Sequence, residues 1–393
     1  MVEIELSIMA RGNDPIGDLL PLLDQFEAEH HIHVKVTVLT WDIAWNEIVK
    51  MALYSDGPDV SEIGTSWTGN FIAMNALRPF TSSELVALGG SAAFLPSSWQ
   101  SSMVLGEKEV CAIPWLADTR LIYFRRDLLD KAGVDSAAAF SSPEQVALTF
   151  GRLRDSGVNM PWVAPTHSGL FTLHNVASWI WGAGGDFVTT NGKRVIFDQP
   201  QARAGMKAYF DLYRYLGSEA LHLNGYQADR AFVQGQAAVM ISGPREGLVN
   251  RSSNPDWGVA LPAGVPFIGG SNLVIWQHTR RDRDALQLVK FLTGKQAQIS
   301  YAPRTGLLPV HLETLASPAF INDPIHALMA QALHAGRSFP AMRLWGLIED
   351  KLRITFSGLS EDILEQSASG IDALLDKYLT PLAEQLNITL GVT

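Results

Sequence analysis

The sequence predicts an α/β protein of two lobes, and three observations carry that reading. Its 393 residues exceed the roughly 250 to 300 at which one hydrophobic core stops growing, so two separate cores are expected. Strand-like and helix-like hydrophobic patterns alternate along the chain, as they do over a mostly parallel sheet. Glycines close several of the helical patterns, where a left-handed backbone ends a helix without steric cost.

Taken in order, IELSIMA and HVKVTVLT are β-rich runs. Between them, PIGDLLPLLDQFEAEH carries Leu19, Leu20, Leu22, Leu23 and Phe26 at helical spacing, which makes a β-α-β unit. AWNEIVKMALYS continues as a helix and DVSEIG as a strand. VCAIPWL reads as a buried strand around Cys111. RRDLLDKAG is a helix stopped by Gly133, and SPEQVALTFGRLRDSG a helix with Ser142 as N-cap and Pro143 at its first position. ADRAFVQGQAAVMISGP gives a helix ended by Gly235, a short strand and a Gly-Pro turn, and RDALQLVKFLTG another helix. From Pro324 onward the chain reads as helical.

Composition narrows the function. An apolar fraction of 47% and a charged fraction of 18% describe a folded chain. The formal charge of −10 argues against nucleic acid, because phosphate binding needs a clustered basic surface. Cys111 is the sole cysteine, so no internal disulfide and no thiolate metal cluster can form. No apolar run reaches the roughly 18 residues of a membrane span. The start, MVEIELSIMA, has no basic n-region and enters a strand pattern at once, so it does not read as a secretory signal peptide. A trimmed chain and a cytoplasmic protein would both look like this. GxSxG, HExxH, P-loop and post-strand GxGxxG signatures are all lacking, and no enzyme, metal or cofactor is expected. The run HHIH at 30–33 is read as the solvated edge of a strand and not as a metal site.

Six segments occur in an order that carries a resemblance: the opening strand and helix to FEAEH, DVSEIGTSWTGNFIAMNALRPF, AIPWLADTRLIYFRRDLLDKAG, FVQGQAAVMISGP, WGVALPAG with GGSNLVIW, and FLTGKQAQISYAPRTGLLPV. Together they resemble the extracellular solute-binding proteins of family 1, the group with the maltose- and other sugar-binding receptors of ABC importers. The resemblance implies a two-lobe periplasmic-binding-protein type II fold with three interlobe crossings and a ligand cleft that closes on a sugar. Placed by motif, the crossings fall near Leu116–Arg120, near Pro266–Gly269 and after Val310. Lobe one then holds residues 1–117 and 268–315, and lobe two residues 118–267 and 316–393. The implied partners are a small carbohydrate and the membrane permease subunits of an importer, with the receptor a monomer outside the cytoplasmic membrane, periplasmic or lipid-anchored.

A sugar pocket mixes carboxylate, Arg, Asn and aromatic side chains, because hydroxyls need polar partners and the C–H faces pack on rings. Trp41 and Asp42 follow one strand, with Asp42 as a helix N-cap the alternative; Ser66 and Trp67 follow another, with a rim aromatic the alternative. The family segment around LIYFRRDLL places Asp118 where maltose receptors carry a sugar-binding carboxylate. Arg120 lies two residues on, either touching ligand or holding Asp118 ionised, and a hinge salt bridge is the other reading. Of Trp179 and Trp181 before GAGGDF, Trp181 is chosen. Arg245 stands where the family often has a sugar-stacking aromatic after Gly-Pro, which points to a smaller or more polar ligand. Ser271 and Asn272 sit at the return crossing. Arg304 either reaches the cleft or caps a helix, and Trp345 either stacks on sugar, as the family segment implies, or is a core aromatic. A polyamine or phosphorylated-polyol receptor of the same fold, and a glycoside-active cleft enzyme, are the alternatives.

Overall fold

The computed structural model describes residues 2–11, 14–167, 170–217, 222–243, 256–365 and 370–391, apart from the side chains of Asp42 and Leu170. Strand β1 (Val2–Met9) leads into the helix Pro15–His30, which begins at an Asp14 N-cap that accepts from the Gly17 amide at 2.9 Å. This helix ends where His31 turns left-handed. Leu19, Leu22, Leu23 and Phe26 are buried along one face, whereas Leu20 is 47% exposed and departs from the expected stripe. Strand β2 (Ile32–Leu39) then pairs in parallel with β1 over its full length, from Val2 opposite Ile32 to Met9 opposite Leu39.

The helix Trp41–Tyr54 and strand β3 (Val60–Gly64) continue the alternation. With β4 (Ile113–Thr119), β9 (Ile268–Ile275) and β10 (Leu308–Pro309), these strands form one six-stranded sheet in the order β10-β4-β9-β3-β1-β2. β1 is parallel to both neighbours, but β9 runs antiparallel to β3 and β4, and β10 antiparallel to β4. The sheet is therefore mixed, where the alternation of elements alone suggested a mostly parallel one. A second, four-stranded sheet has the order β6-β7-β5-β8, from β5 (Leu121–Arg125), β6 (Trp162–Val163), β7 (Val239–Ser242) and β8 (Trp257–Ala260).

Contacts divide the chain into two compact units. One is built on Met1–Thr119 and Ile268–Gly346, the other on Arg120–Gly243, Asn250–Phe267 and Leu347–Thr393. Residues 316–346, expected with the second lobe, pack with the first unit. The reason is that the helix Pro324–Ala335 packs on β4 and β10, strands of the first unit's sheet.

Each unit has its own core. In the first, Met9, Leu39, Ile48, Ile63, Phe71, Val274 and Trp276 form one buried cluster under the helix Trp41–Tyr54. In the second, Trp162 packs on Phe150, Tyr209 and Tyr213. Each fully buried ring of this size contributes roughly 1.5–3 kcal/mol of transfer free energy. Cys111 lies ahead of β4, not within it, and burial pushes its thiol up to about 12. The expected helices at Pro143–Asp155, Gly225–Val233 and Asp282–Thr293 are present, with Ser142 capping the first by accepting from the Gln145 amide. Among the described residues no helix is long and apolar enough to cross a membrane.

Candidate functional site

The strand directions bring a set of polar and aromatic residues to one edge of the six-stranded sheet. β1, β2 and β3 end there at Met9, Leu39 and Gly64. β9, running the other way, starts there, with Ser271 opposite Gly64. β4 finishes beside it, with Asp118 opposite Gly269. Ligands of open α/β sheets bind beyond the carboxyl ends of the strands, so Arg11, Trp41, Ser66, Asp118 and Ser271 share the edge at which such binding occurs.

Arg11 anchors it. Its guanidinium grips the Glu62 carboxylate with both terminal nitrogens, one of them at 2.9 Å, and donates to Ser271 Oγ at 3.3 Å. Glu62 is 0% exposed on β3 and also accepts from the Met9 amide at 2.8 Å. The guanidinium lies 5.8 Å from the Trp115 ring centre, and Trp115 stacks on Tyr301 at 5.2 Å. Burial pulls the Arg11 pKa below its usual range, opposed by Tyr301 and the negative charge of Asp118. Arg remains charged through such a shift because its starting value is so high.

Trp115 is aimed there by an irregularity in the strand. Pairing of β4 with β9 slips between Pro114 and Leu116, a β-bulge that leaves Trp115 outside the ladder. Gln298 takes up its carbonyl, donating from Nε2 at 2.8 Å. Gly270 adopts φ 132°, and a Cβ there would stand 2.1 Å from the Leu116 carbonyl oxygen, so only glycine fits this close approach of β9 to β4.

Beside the polar group lies an aromatic one. Trp67, 6% exposed, receives the edges of Trp41 at 5.6 Å and Trp45 at 5.3 Å. Trp41 and Trp45 keep partial exposure, so they carry the ring surface that a solute can reach, and Trp67 is their support. The N-cap of the following helix is Thr40, whose carbonyl accepts from Ala44 at 2.9 Å, and not Asp42. The Asp42 side chain lies outside the described residues. Ser66 is half-buried in the single turn Thr65–Trp67, and Asp118 is half-buried at the end of β4.

Other expected contacts point elsewhere. Asn272 is 0% exposed, and its amide donates to Thr68 Oγ1 at 3.0 Å and to the Ser101 carbonyl at 3.1 Å; it ties β9 to the start of the helix Thr68–Ala73 and to the end of the helix Pro96–Gln100 in its own unit, and does not present its amide at the edge. Trp345 is 0% exposed and stacks on Phe339 at 4.6 Å, which makes it a core aromatic at the start of a helix. Arg304 is exposed in the last turn of the helix Lys295–Thr305, where a cation complements the helix dipole. Arg245 lies outside the described residues.

In the second unit, Arg120 is 4% exposed just ahead of β5 and pairs with His174 Nδ1 at 2.7 Å. Its guanidinium lies 5.7 Å from the Phe171 ring and 5.6 Å from that of Phe267. Burial, reinforced by Arg120, drives His174 well below its usual pKa, which keeps the imidazole neutral. Phe267 also stacks on Trp181, which is 4% exposed and donates from Nε1 to Asp186 at 3.1 Å. Trp179, its neighbour two residues back, is 2% exposed against Tyr209, so both members of the pair are buried. Arg120 and Trp181 thus belong to one buried stack.

Sequence reasoning missed Arg11, Glu62 and Trp45. The available signal was a charged residue in the middle of DVSEIG and another directly after the first strand, which strand pairing places together.

A model of the bacterial extracellular solute-binding proteins matches residues 22–328. The diacetylchitobiose binding protein of Streptomyces coelicolor is 22% identical over 359 residues, covering 86% of this chain and 80% of its own. Among solved structures, an ABC transporter solute binding protein of Thermotoga lettingae bound with α-D-tagatose superposes with a TM-score of 0.85 at 18% identity, over 100% of both chains. Maltose-bound MalE3 of T. maritima gives 0.83 at 21% identity, over 98% of this chain and 100% of that one. These structural likenesses speak for the fold.

Proposed function

The chain belongs to the bacterial extracellular solute-binding proteins, and from that premise we propose that it is the receptor of an ABC importer and binds a mono- or oligosaccharide. The observation that carries the reading is the pairing of accessible indole surface at Trp41 and Trp45 with a carboxylate, Asp118, and a hydroxyl, Ser66, at one sheet edge. Indole faces pack on sugar C–H surfaces while carboxylate and hydroxyl oxygens accept from sugar hydroxyls. Arg11 acts behind them, holding the edge rigid through Glu62. The relatives named for diacetylchitobiose, tagatose and maltose support a carbohydrate.

In this reading the protein acts by binding and release, as a monomer outside the cytoplasmic membrane, periplasmic or held by a lipid anchor. Ligand shifts a conformational equilibrium that the permease subunits read. Among the described residues of this edge, Arg11 is engaged by Glu62, which suits a neutral solute better than an anionic one.

The test is a thermal-shift screen of the purified chain over mono- and disaccharides, followed by calorimetric titration of the hits. A sugar present at 100 times its Kd adds about 2.7 kcal/mol to the stability of the folded state. Asp118→Asn and Trp41→Ala should each weaken the bound sugar by roughly 10-fold or more, the loss of about 1.4 kcal/mol. A flat response across the panel sinks the carbohydrate reading, and full affinity in both variants sinks this edge as the site.

A further inference from the structure

In the second unit, three potential metal ligands converge from separate parts of the sequence. A ring nitrogen of His167, one of His222 and a carboxylate oxygen of Glu361 all lie within 4.8 Å of one another. Two short segments hold the histidines in place. The amides of Thr166 and His167 both donate to the Leu223 carbonyl, at 2.9 and 3.0 Å, and Thr166 Oγ1 accepts from the Leu223 amide at 3.1 Å. His222 adopts a left-handed φ of 62°, uncommon outside glycine, and its ring meets that of His167 at 6.3 Å and 73°. Glu361 comes from the helix Trp345–Glu365. Among the described residues none of the three side chains has a hydrogen bond or ion pair.

We propose that His167, His222 and Glu361 form a binding site for a divalent transition-metal ion, with Zn2+ as the best fit. Two imidazoles and one carboxylate suit Zn2+ and its neighbours, whereas Mg2+ and Ca2+ require oxygen ligands. With metal–ligand bonds of about 2.0–2.1 Å, tetrahedral ligand atoms stand roughly 3.3 Å apart. The present set must contract by at most about 1.5 Å to reach that spacing, a movement that side-chain rotation supplies because both histidines are exposed. Three protein ligands leave the fourth position to water. Bound metal would fasten the segments 166–167 and 222–223 to the helix Trp345–Glu365, so its first consequence is on the stability of this unit. No continuous motif announces the site, since its ligands are joined only by the fold.

The test is calorimetric titration of the metal-free full chain with ZnCl2 at pH 7.5, with MgCl2 as control. The expected result is one Zn2+ per chain, no Mg2+ binding, and release as pH falls below about 6, where imidazoles take up protons. Loss of an outer-shell partner already weakens metal sites by about 10–100-fold, so His167→Ala and Glu361→Gln should each cost at least about 100-fold. His222→Asn, which tolerates the left-handed backbone, should do the same. Circular dichroism in EDTA must show all variants folded like the parent. Absence of Zn2+ binding by the parent overturns the site, and so does undiminished binding by the three folded variants, which would place the metal elsewhere, for example at His30, His31 and His33.

Discussion

Replacing Arg11 by methionine tests whether the ion pair with Glu62 organises the sheet edge. Glu62 is 0% exposed and the Arg11 side chain 10% exposed, so the substitution strands a carboxylate in a dry site. Breaking a buried pair from one side costs about 3–5 kcal/mol, and in a unit of this size each kcal/mol lowers Tm by about 2–4 °C. The expected fall is therefore roughly 6–20 °C, read by circular dichroism and by urea unfolding. The double variant Arg11→Met, Glu62→Gln removes the stranded charge yet keeps an acceptor for the Met9 amide. It should recover all but about 1–2 kcal/mol, the cost of imperfect hydrogen bonding. A single variant within about 1 kcal/mol of the parent, or a double variant no better than the single, would refute the reasoning.

Two further outcomes follow from the geometry. Gly270→Ala must place a Cβ 2.1 Å from the Leu116 carbonyl oxygen at φ 132°, so the chain should express poorly or lose several kcal/mol, about 3 or more, in urea unfolding; parent-like stability would show that β9 can move away from β4. The hydrogen bonds from Arg78 hold the Glu84 carboxyl at about 2, well below the usual carboxylate range. A depressed acid stabilises the fold above the unfolded value and loses that contribution as pH falls from about 4.5 toward 2. After solvent screening the pair is worth up to about 1 kcal/mol, so Glu84→Gln should destabilise at pH 7 by that amount and by almost nothing at pH 2. An equal penalty at both values would assign the effect to the N-terminal cap that Glu84 makes with Thr81.

Much of the fold was legible because periodicity is local. The strands at Val2–Met9 and Ile32–Leu39 and the helices at Pro15–His30 and Pro143–Asp155 follow from spacing and caps that lie within a few residues of each other. The antiparallel place of β9 between β3 and β4 was not legible, since nothing in GGSNLVIW states which strands it joins. The same division holds at the candidate site. Trp41 and Ser66 each follow a strand, and Asp118 is placed by the resemblance around LIYFRRDLL; all three lie at the sheet edge. The burial of Asn272 and Trp345 was not legible, because it is set by partners outside their own segments: Thr68 and Ser101 for the first, and Phe339 for the second. Arg11 and Glu62 become a pair only when β1 and β3 lie side by side.

The burial of the indoles has an optical consequence. Of eleven tryptophans, only Trp41, Trp45 and Trp99 keep partial exposure. Emission from the intact chain is therefore dominated by rings that no solute reaches, and it should lie at short wavelength. A sugar seated on Trp41 changes the signal of at most two of the three solvent-touched rings, Trp41 and Trp45, so its spectral signature is a small change confined to the red side of the band. A large quench across the whole band would instead report a rearrangement of the cores, and Trp41→Phe separates the two by erasing the first and leaving the second.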